Sequence, residues 1–301
     1  MLCNLLGIAI CFLGFILLIK HLKRPYFSWD PAFSIELIKK SWPYALLIVL
    51  MLLYTRVDGV MLERMLINGA YESGVYAQGF RLLDALYMFG MIFAGLLFPL
   101  FSKQLKESIP AVLELVKTSA NLLLSGVLII IFITCYNSSF LLGLIYSDYQ
   151  EAIEPFQFLM LGFFPICMNF IFGTLLTANG NLKALNFISL GGIIANVCIN
   201  LWLIPKHGAL GAAIATFFTQ LVTAILQYFY CVVKFKIPIK IIGFLKFAVL
   251  IVGLFGVSHY FNNSDYLILL QLIVGFFLTF TLSLIDLSSM KELYFSSRRI
   301  K

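Results

Sequence analysis

The sequence predicts an all-α, polytopic transmembrane helix bundle with about nine spans. Of its 301 residues, 61% are hydrophobic and only 12% are charged. Apolar runs of about 20 residues recur along the chain, which is the length that an α-helix needs to cross a bilayer. The loops between these runs are short and carry most of the charges. A soluble domain with a single core would not contain so many runs of this kind.

The apolar runs divide the chain into nine expected spans and give them an orientation. Three arginines lie inside spans, and every other lysine and arginine except Lys206 falls on the same side of the membrane. The positive-inside rule makes that side cytoplasmic, so the C-terminus is expected inside and residue 1 outside. The expected spans are residues 2–19, 43–67, 77–101, 111–135, 153–178, 184–204, 209–233, 243–261 and 266–287.

Several classes of function lack their signatures in this sequence. The six cysteines lie in or at the ends of apolar runs without CxxC spacing, so we interpret them as core residues rather than disulfides or metal ligands. The three histidines fall on both sides of the membrane and cannot share a site. No nucleotide-binding loop, zinc motif or Gly-x-Ser-x-Gly elbow is present. We therefore expect neither an enzyme nor a cofactor or metal. The net charge of +7 sits in short loops and does not indicate nucleic-acid binding.

Charged residues inside the second and third spans are the strongest functional signal. Arg56 falls near the middle of the apolar run 43–67, where a charge costs a few kcal/mol at least unless it meets a cavity or a partner. The two spans form a hairpin that brings Asp58, Arg81 and Asp84 to a similar depth. An arginine suits an anionic ligand because its planar fork binds phosphate with two hydrogen bonds. The alternative is that these charges pair completely and only fix the hairpin.

Two tyrosines near these charges complete the expected site. Tyr54 and Tyr76 could offer sugar-type hydrogen bonds, although each alone is more often a packing residue. The expected substrate-binding set is Arg56, Arg81, Asp58, Asp84, Tyr54 and Tyr76.

Two groups of motifs resemble those of a known transporter family. The first group lies around the charged hairpin, and the second lies near the sixth and seventh spans. Together they run from about residue 40 to residue 235 and resemble polysaccharide flippases, the O-antigen and capsule exporters of the multidrug/oligosaccharidyl-lipid/polysaccharide (MOP) superfamily. The matching segments are residues 54–58, 74–84, 98–102, 176–181, 196–200 and 204–213.

The resemblance implies a domain organisation. Members of this family have two six-helix lobes, often with two added C-terminal helices. On this mapping, residues 1–20 resemble the last helix of the N-terminal lobe, whose first five helices are not in the sequence. Residues 21–42 resemble the cytoplasmic linker between lobes, in which residues 35–40 could form a short amphipathic helix or a solvated connector. Residues 43–235 resemble the C-terminal lobe, and residues 236–301 the added pair with a basic tail.

The resemblance also implies a function. The family moves undecaprenyl-pyrophosphate-linked sugar units across the bacterial cytoplasmic membrane, and Arg56 and Arg81 match arginines of its basic cavity. The expected partners are a lipid-linked oligosaccharide, the bilayer, and possibly a polysaccharide polymerase and a chain-length regulator. Three alternatives stay open: a multidrug antiporter with acidic cation sites, a membrane-embedded polymerase or acyltransferase, and a membrane partner that transports nothing itself.

Overall fold

The described part of the chain is entirely helical apart from turns and short connections. The structure is a computed structural model that describes residues 7, 9–15, 17, 30–238, 241–261, 264 and 266–285, and only the backbone of Tyr54. No strand occurs among these residues, which confirms the all-α prediction. The chain divides into two compact units, Met1–Trp42 and Pro43–Lys301, and each is described by itself.

In the part of the chain that the structure describes, eight α-helices and one 3₁₀ turn follow a helical stretch within residues 7–17. In chain order they are α1 (Pro31–Met65), α2 (Gly69–Glu107), α3 (Ile109–Tyr136), α4 (Ser138–Gly143), the 3₁₀ turn Gln150–Ala152, α5 (Ile153–Ala178), α6 (Leu182–Phe235), α7 (Ile241–Tyr260) and α8 (Leu267–Thr281). Five of these segments are long and apolar enough to cross a membrane, and α1 makes a sixth if its two bent halves cross together. The expected count of nine spans remains a prediction.

The start of α1 is set by a side-chain cap. The carboxylate of Asp30 accepts hydrogen bonds from the backbone N–H groups of Ala32 (2.9 Å) and Phe33 (3.2 Å). Pro31 fits the first helical position because it has no N–H to satisfy there. The sequence leaves residues 35–40 open between a short amphipathic helix and a solvated connector, and it predicts a span from residue 43. The structure includes both in α1, since Pro43 lies inside the helix and does not end it.

Helix α5 is the centre of the second unit. In its most apolar window 72% of the residues are buried, against 17% for α2 and for α7. Its buried side chains, among them Leu159, Cys167 and Ile171, meet α2, α3 and α6. Lipid offers apolar groups the same environment as the core, so close packing rather than water exclusion holds such helices together.

A break at Gly208 divides α6 into two halves. The residue has φ 52° and ψ −129°, a left-handed conformation that L side chains rarely adopt. The Glu72 carboxylate of α2 occupies the space that a Cβ would need, and it accepts a hydrogen bond from the N–H of Ala209 (2.8 Å). The expected sixth and seventh spans therefore correspond to the two halves of one kinked helix.

The last two helices attach to the outside of α3. Leu128 and Ile129 of α3 pack against Leu250 and Leu254 of α7. A buried amide, Gln271 of α8, joins the elements by donating hydrogen bonds to Ser258 Oγ (2.8 Å) and to the carbonyl oxygen of Phe132 (3.3 Å). This polar contact fixes the depth of α8 against α3.

Candidate functional site

Arg56 and Asp84 form an ion pair between α1 and α2. A guanidinium nitrogen of Arg56 lies 3.0 Å from a carboxylate oxygen of Asp84. The same guanidinium lies 5.1 Å from the centroid of the Phe80 ring, a distance at which a cation is attracted to the ring face. The side chains are 62% and 39% exposed, so the pair can still reach a third group.

This ion pair lies on the wall of a cavity of about 400 Å³. The other lining residues come mainly from α1 and α2, with three from α5 and α6, and most of them are apolar. The polar residues besides the ion pair are Thr55, Tyr87, Thr216 and Gln220; the apolar ones are Ile48, Met51, Leu52, Phe80, Leu83, Met88, Met91 and Ile166. A long apolar wall with one charged pair suits an amphipathic ligand better than a fully polar one.

Asp58 points away from Arg56 and is completely buried. It accepts hydrogen bonds from Tyr76 Oη (3.1 Å), Thr216 Oγ1 (2.6 Å) and Asn200 Nδ2 (2.5 Å). Because residues two apart on a helix do not share a face, Arg56 and Asp58 meet different neighbours. Among the residues that the structure describes, none forms an ion pair with Asp58.

The surroundings of Asp58 supply further unsatisfied polar atoms. Asn200 Oδ1 and Asn196 Nδ2 are buried without a hydrogen-bond partner in the described part of the chain, and Asn200 Nδ2 also donates to Asn196 Oδ1 (3.0 Å). An ionised carboxylate in a membrane interior costs several kcal/mol unless its charge is neutralised. Since the described hydrogen-bond partners of Asp58 are all neutral donors, a proton or a small cation is the group that would neutralise it.

Thr216 connects the two sites. Its hydroxyl bonds to Asp58, and the residue also lines the cavity that holds Arg56 and Asp84. The buried carboxylate therefore lies directly behind the cavity wall.

The structure does not bring all six expected site residues together. Arg81 lines a second cavity of about 400 Å³ with Tyr71, Gln78, Asp148 and Glu151, and no residue is common to the two cavities. The expected cluster of arginines is thus divided along α2. The two cavities lie on different faces of α2. Phe80 and Asp84 face α1, whereas Gln78 and Arg81 face the connection between α4 and α5. The side chain of Tyr54 lies outside the described residues.

Two of the residues that surround Asp58 were not predicted as its partners from the sequence. Asn200 entered the sequence analysis only as part of the matching segment 196–200, and Thr216 was not singled out. Both are polar residues in otherwise apolar spans, the same signal that identified Arg56. Their spacing in the sequence could not show that they meet Asp58, because Thr216 lies 158 positions away.

Comparisons with known proteins agree with the fold and the motifs. Residues 2–105 match the model of a family described as "Polysaccharide biosynthesis protein". One solved structure with a similar fold is "Lipid II flippase MurJ, inward closed conformation", at 16% sequence identity and a TM-score of 0.66. The match covers 90% of this chain and 58% of that protein, so the chain spans somewhat over half its length. No curated protein matches the chain significantly.

The two matches compare different properties of the chain. The family model scores the sequence of the first third of the chain, whereas the structural match compares the fold over most of it. Together they support the resemblance that the motifs carry: the first third of the chain is similar in sequence to the polysaccharide biosynthesis family, and the fold over most of the chain is similar to that of a lipid II flippase.

Proposed function

We propose that the chain acts in a flippase that translocates undecaprenyl-pyrophosphate-linked oligosaccharides across the bacterial cytoplasmic membrane, for O-antigen or capsular polysaccharide. The observation that carries this proposal is an arginine on the wall of a largely apolar cavity between membrane helices. A pyrophosphate attached to an isoprenoid chain has the matching shape, with a compact anion and a long apolar tail.

The Arg56–Asp84 pair would hold the guanidinium in place until the anion arrives. A carboxylate carries one negative charge and a pyrophosphate carries more, so the ligand competes for Arg56 by Coulomb attraction. Both side chains are partly exposed, which allows the exchange without opening the helix core. The contact between Arg56 and Phe80 holds the guanidinium beside another residue of the cavity wall.

Asp58 would contribute the charge that drives the cycle. Its burial and its neutral partners mean that gaining or losing a proton or small cation changes the local charge by one unit. Because Thr216 contacts both Asp58 and the cavity, such a change reaches the wall of the substrate site. The proposal includes an association with a polymerase or a chain-length regulator. No feature of the described residues selects these partners or a particular sugar.

The multidrug antiporter remains the second candidate because of Asp58. A buried carboxylate suits a cation antiporter, whereas a cavity arginine opposes a cationic drug. The two functions differ in what accumulates when the gene is deleted in its own host. The proposal expects lipid-linked oligosaccharide to build up in the inner leaflet, with surface polysaccharide lost and drug sensitivity unchanged. Drug hypersensitivity with normal surface polysaccharide would favour the antiporter.

A further inference from the structure

We propose that the second cavity, around Arg81, is a saccharide-binding subsite that receives the sugar rings of the transported ligand. This inference rests on the proposed function and adds a site to it. The cavity is formed by the first turns of α2 and the connection between α4 and α5. Its lining consists of Ala70, Tyr71, Gly74, Val75, Gln78, Arg81, Tyr146, Asp148, Glu151 and Ala152.

The chemistry of this lining differs from that of the Arg56 cavity. Six of its ten residues carry polar or charged side chains, and its apolar members are small apart from Val75. Its apolar wall is therefore much smaller than the one that the Arg56 cavity offers to an isoprenoid chain. Sugars present many hydroxyl groups and apolar ring faces, which carboxylates, amides and phenol rings together can recognise.

The polar groups around the cavity retain binding capacity. Arg81 makes no hydrogen bond or ion pair with any other described residue, and it forms none with Asp148 or Glu151. Gln78 is anchored by a hydrogen bond from Nε2 to the carbonyl oxygen of Asp148 (2.9 Å), while its Oε1 is buried without a partner among the described residues. A buried unsatisfied amide oxygen costs about 1–3 kcal/mol, so a donor on a ligand or water would be stabilising.

The charge balance separates a sugar from a phosphate. One guanidinium faces two carboxylates, Asp148 and Glu151, so the cavity is negative overall when all three are ionised. A phosphate dianion is disfavoured in such surroundings. Sugar rings, with or without an amino group, can donate hydrogen bonds to the carboxylates and accept them from the guanidinium.

The position along α2 explains why two cavities would serve one ligand. Arg81 precedes Asp84 by three residues, which is about 4.5 Å of helix rise. The Arg81 cavity is therefore displaced from the Arg56 cavity toward the α1–α2 turn. The distribution of lysine and arginine predicts that this turn lies on the side of the membrane opposite the cytoplasm. A ligand whose anion lies at Arg56 would extend its sugars toward this turn.

The test is saturation-transfer NMR on the purified chain in detergent micelles with free disaccharides. The panel contains lactose, N,N′-diacetylchitobiose and a disaccharide with a glucuronic acid unit, and phosphoethanolamine serves as the lipid-headgroup probe. The variants are Arg81→Ala and Gln78→Leu, with Arg64→Ala as the control for losing an exposed arginine outside both cavities. Arg56→Ala reports on the other cavity.

We expect at least one disaccharide to bind the wild-type chain, with a dissociation constant from titration of the signal that rises about tenfold in Arg81→Ala and Gln78→Leu, equivalent to about 1.4 kcal/mol of binding. Arg64→Ala and Arg56→Ala should retain it. Far-UV circular dichroism shows whether each variant is folded. No saccharide signal, a signal independent of Arg81 and Gln78, or a response to phosphoethanolamine alone would overturn the inference. The assay involves no transport, so its outcome is separate from that of the proposed function.

Discussion

The guanidinium of Arg56 lies 3.0 Å from the carboxylate of Asp84, and both groups line one largely apolar cavity between membrane helices. Two interpretations of this pair make opposite predictions. If the pair only joins α1 to α2, removing either charge leaves the other unpaired and harms the protein equally. If Arg56 awaits an anion, Asp84 is its competitor, and removing Asp84 has a different effect from removing Arg56.

The first prediction concerns this asymmetry. Asp84→Asn should retain surface polysaccharide, because the amide leaves Arg56 free for the anion. Arg56→Ala should abolish it, and Arg56→Lys should restore only part, since an ammonium cannot form the two-pronged contact. The measurement is surface polysaccharide per unit of membrane-inserted protein, with substitutions made at the native locus and Arg64→Ala as the control. Equal loss in Asp84→Asn and Arg56→Ala, in step with falling protein abundance, would favour the structural pair.

The second prediction concerns the buried carboxylate. Asp58→Asn keeps the size of the side chain and removes its charge, so we expect an inserted, folded protein that no longer transports. Asp58→Leu should also unfold more easily, by about 2–4 kcal/mol, because it removes the buried acceptor that Tyr76, Thr216 and Asn200 share. Thermal unfolding in detergent separates the two variants. A leucine variant as stable as the asparagine variant would show that the hydrogen bonds contribute little.

The third prediction concerns the break in α6. Gly208→Ala must hold an L residue at φ 52° and displace the Glu72 carboxylate, which should cost about 1–3 kcal/mol. Gly191→Ala is the matched control, because Gly191 lies in the same helix and a Cβ there meets nothing within 4 Å. Alanine should be neutral or slightly stabilising at that position. Equal melting temperatures for the two variants would contradict the strained geometry at Gly208.

Much of the architecture could be predicted from the sequence because a bilayer constrains it strongly. Apolar runs of fixed length and the distribution of lysine and arginine predicted an all-helical membrane protein, and the structure confirms the all-α class. The start of α1 at Pro31 was missed. The reason is local: residues 21–42 were expected to be a linker, whereas Asp30 caps a helix that begins at Pro31.

The candidate site was only partly predictable. The cost of a charge in the membrane identified Arg56 and Asp84, which the structure pairs. The partners of Asp58 depend on contacts between residues far apart in the sequence, and periodicity carries no information about these. The separation of Arg81 from Arg56 depends on which helix each face of α2 meets, which a hairpin considered alone could not show.

The most direct test of the central claim is native mass spectrometry of the purified chain with undecaprenyl pyrophosphate. We expect the wild-type chain to bind this lipid and to prefer it to undecaprenol, which lacks the anion. Arg56→Ala should weaken binding at least about tenfold, equivalent to about 1.4 kcal/mol, and Asp84→Asn should bind at least as tightly as the wild type. Equal binding of both lipids, or binding unchanged in Arg56→Ala, would contradict the claim that Arg56 receives the pyrophosphate.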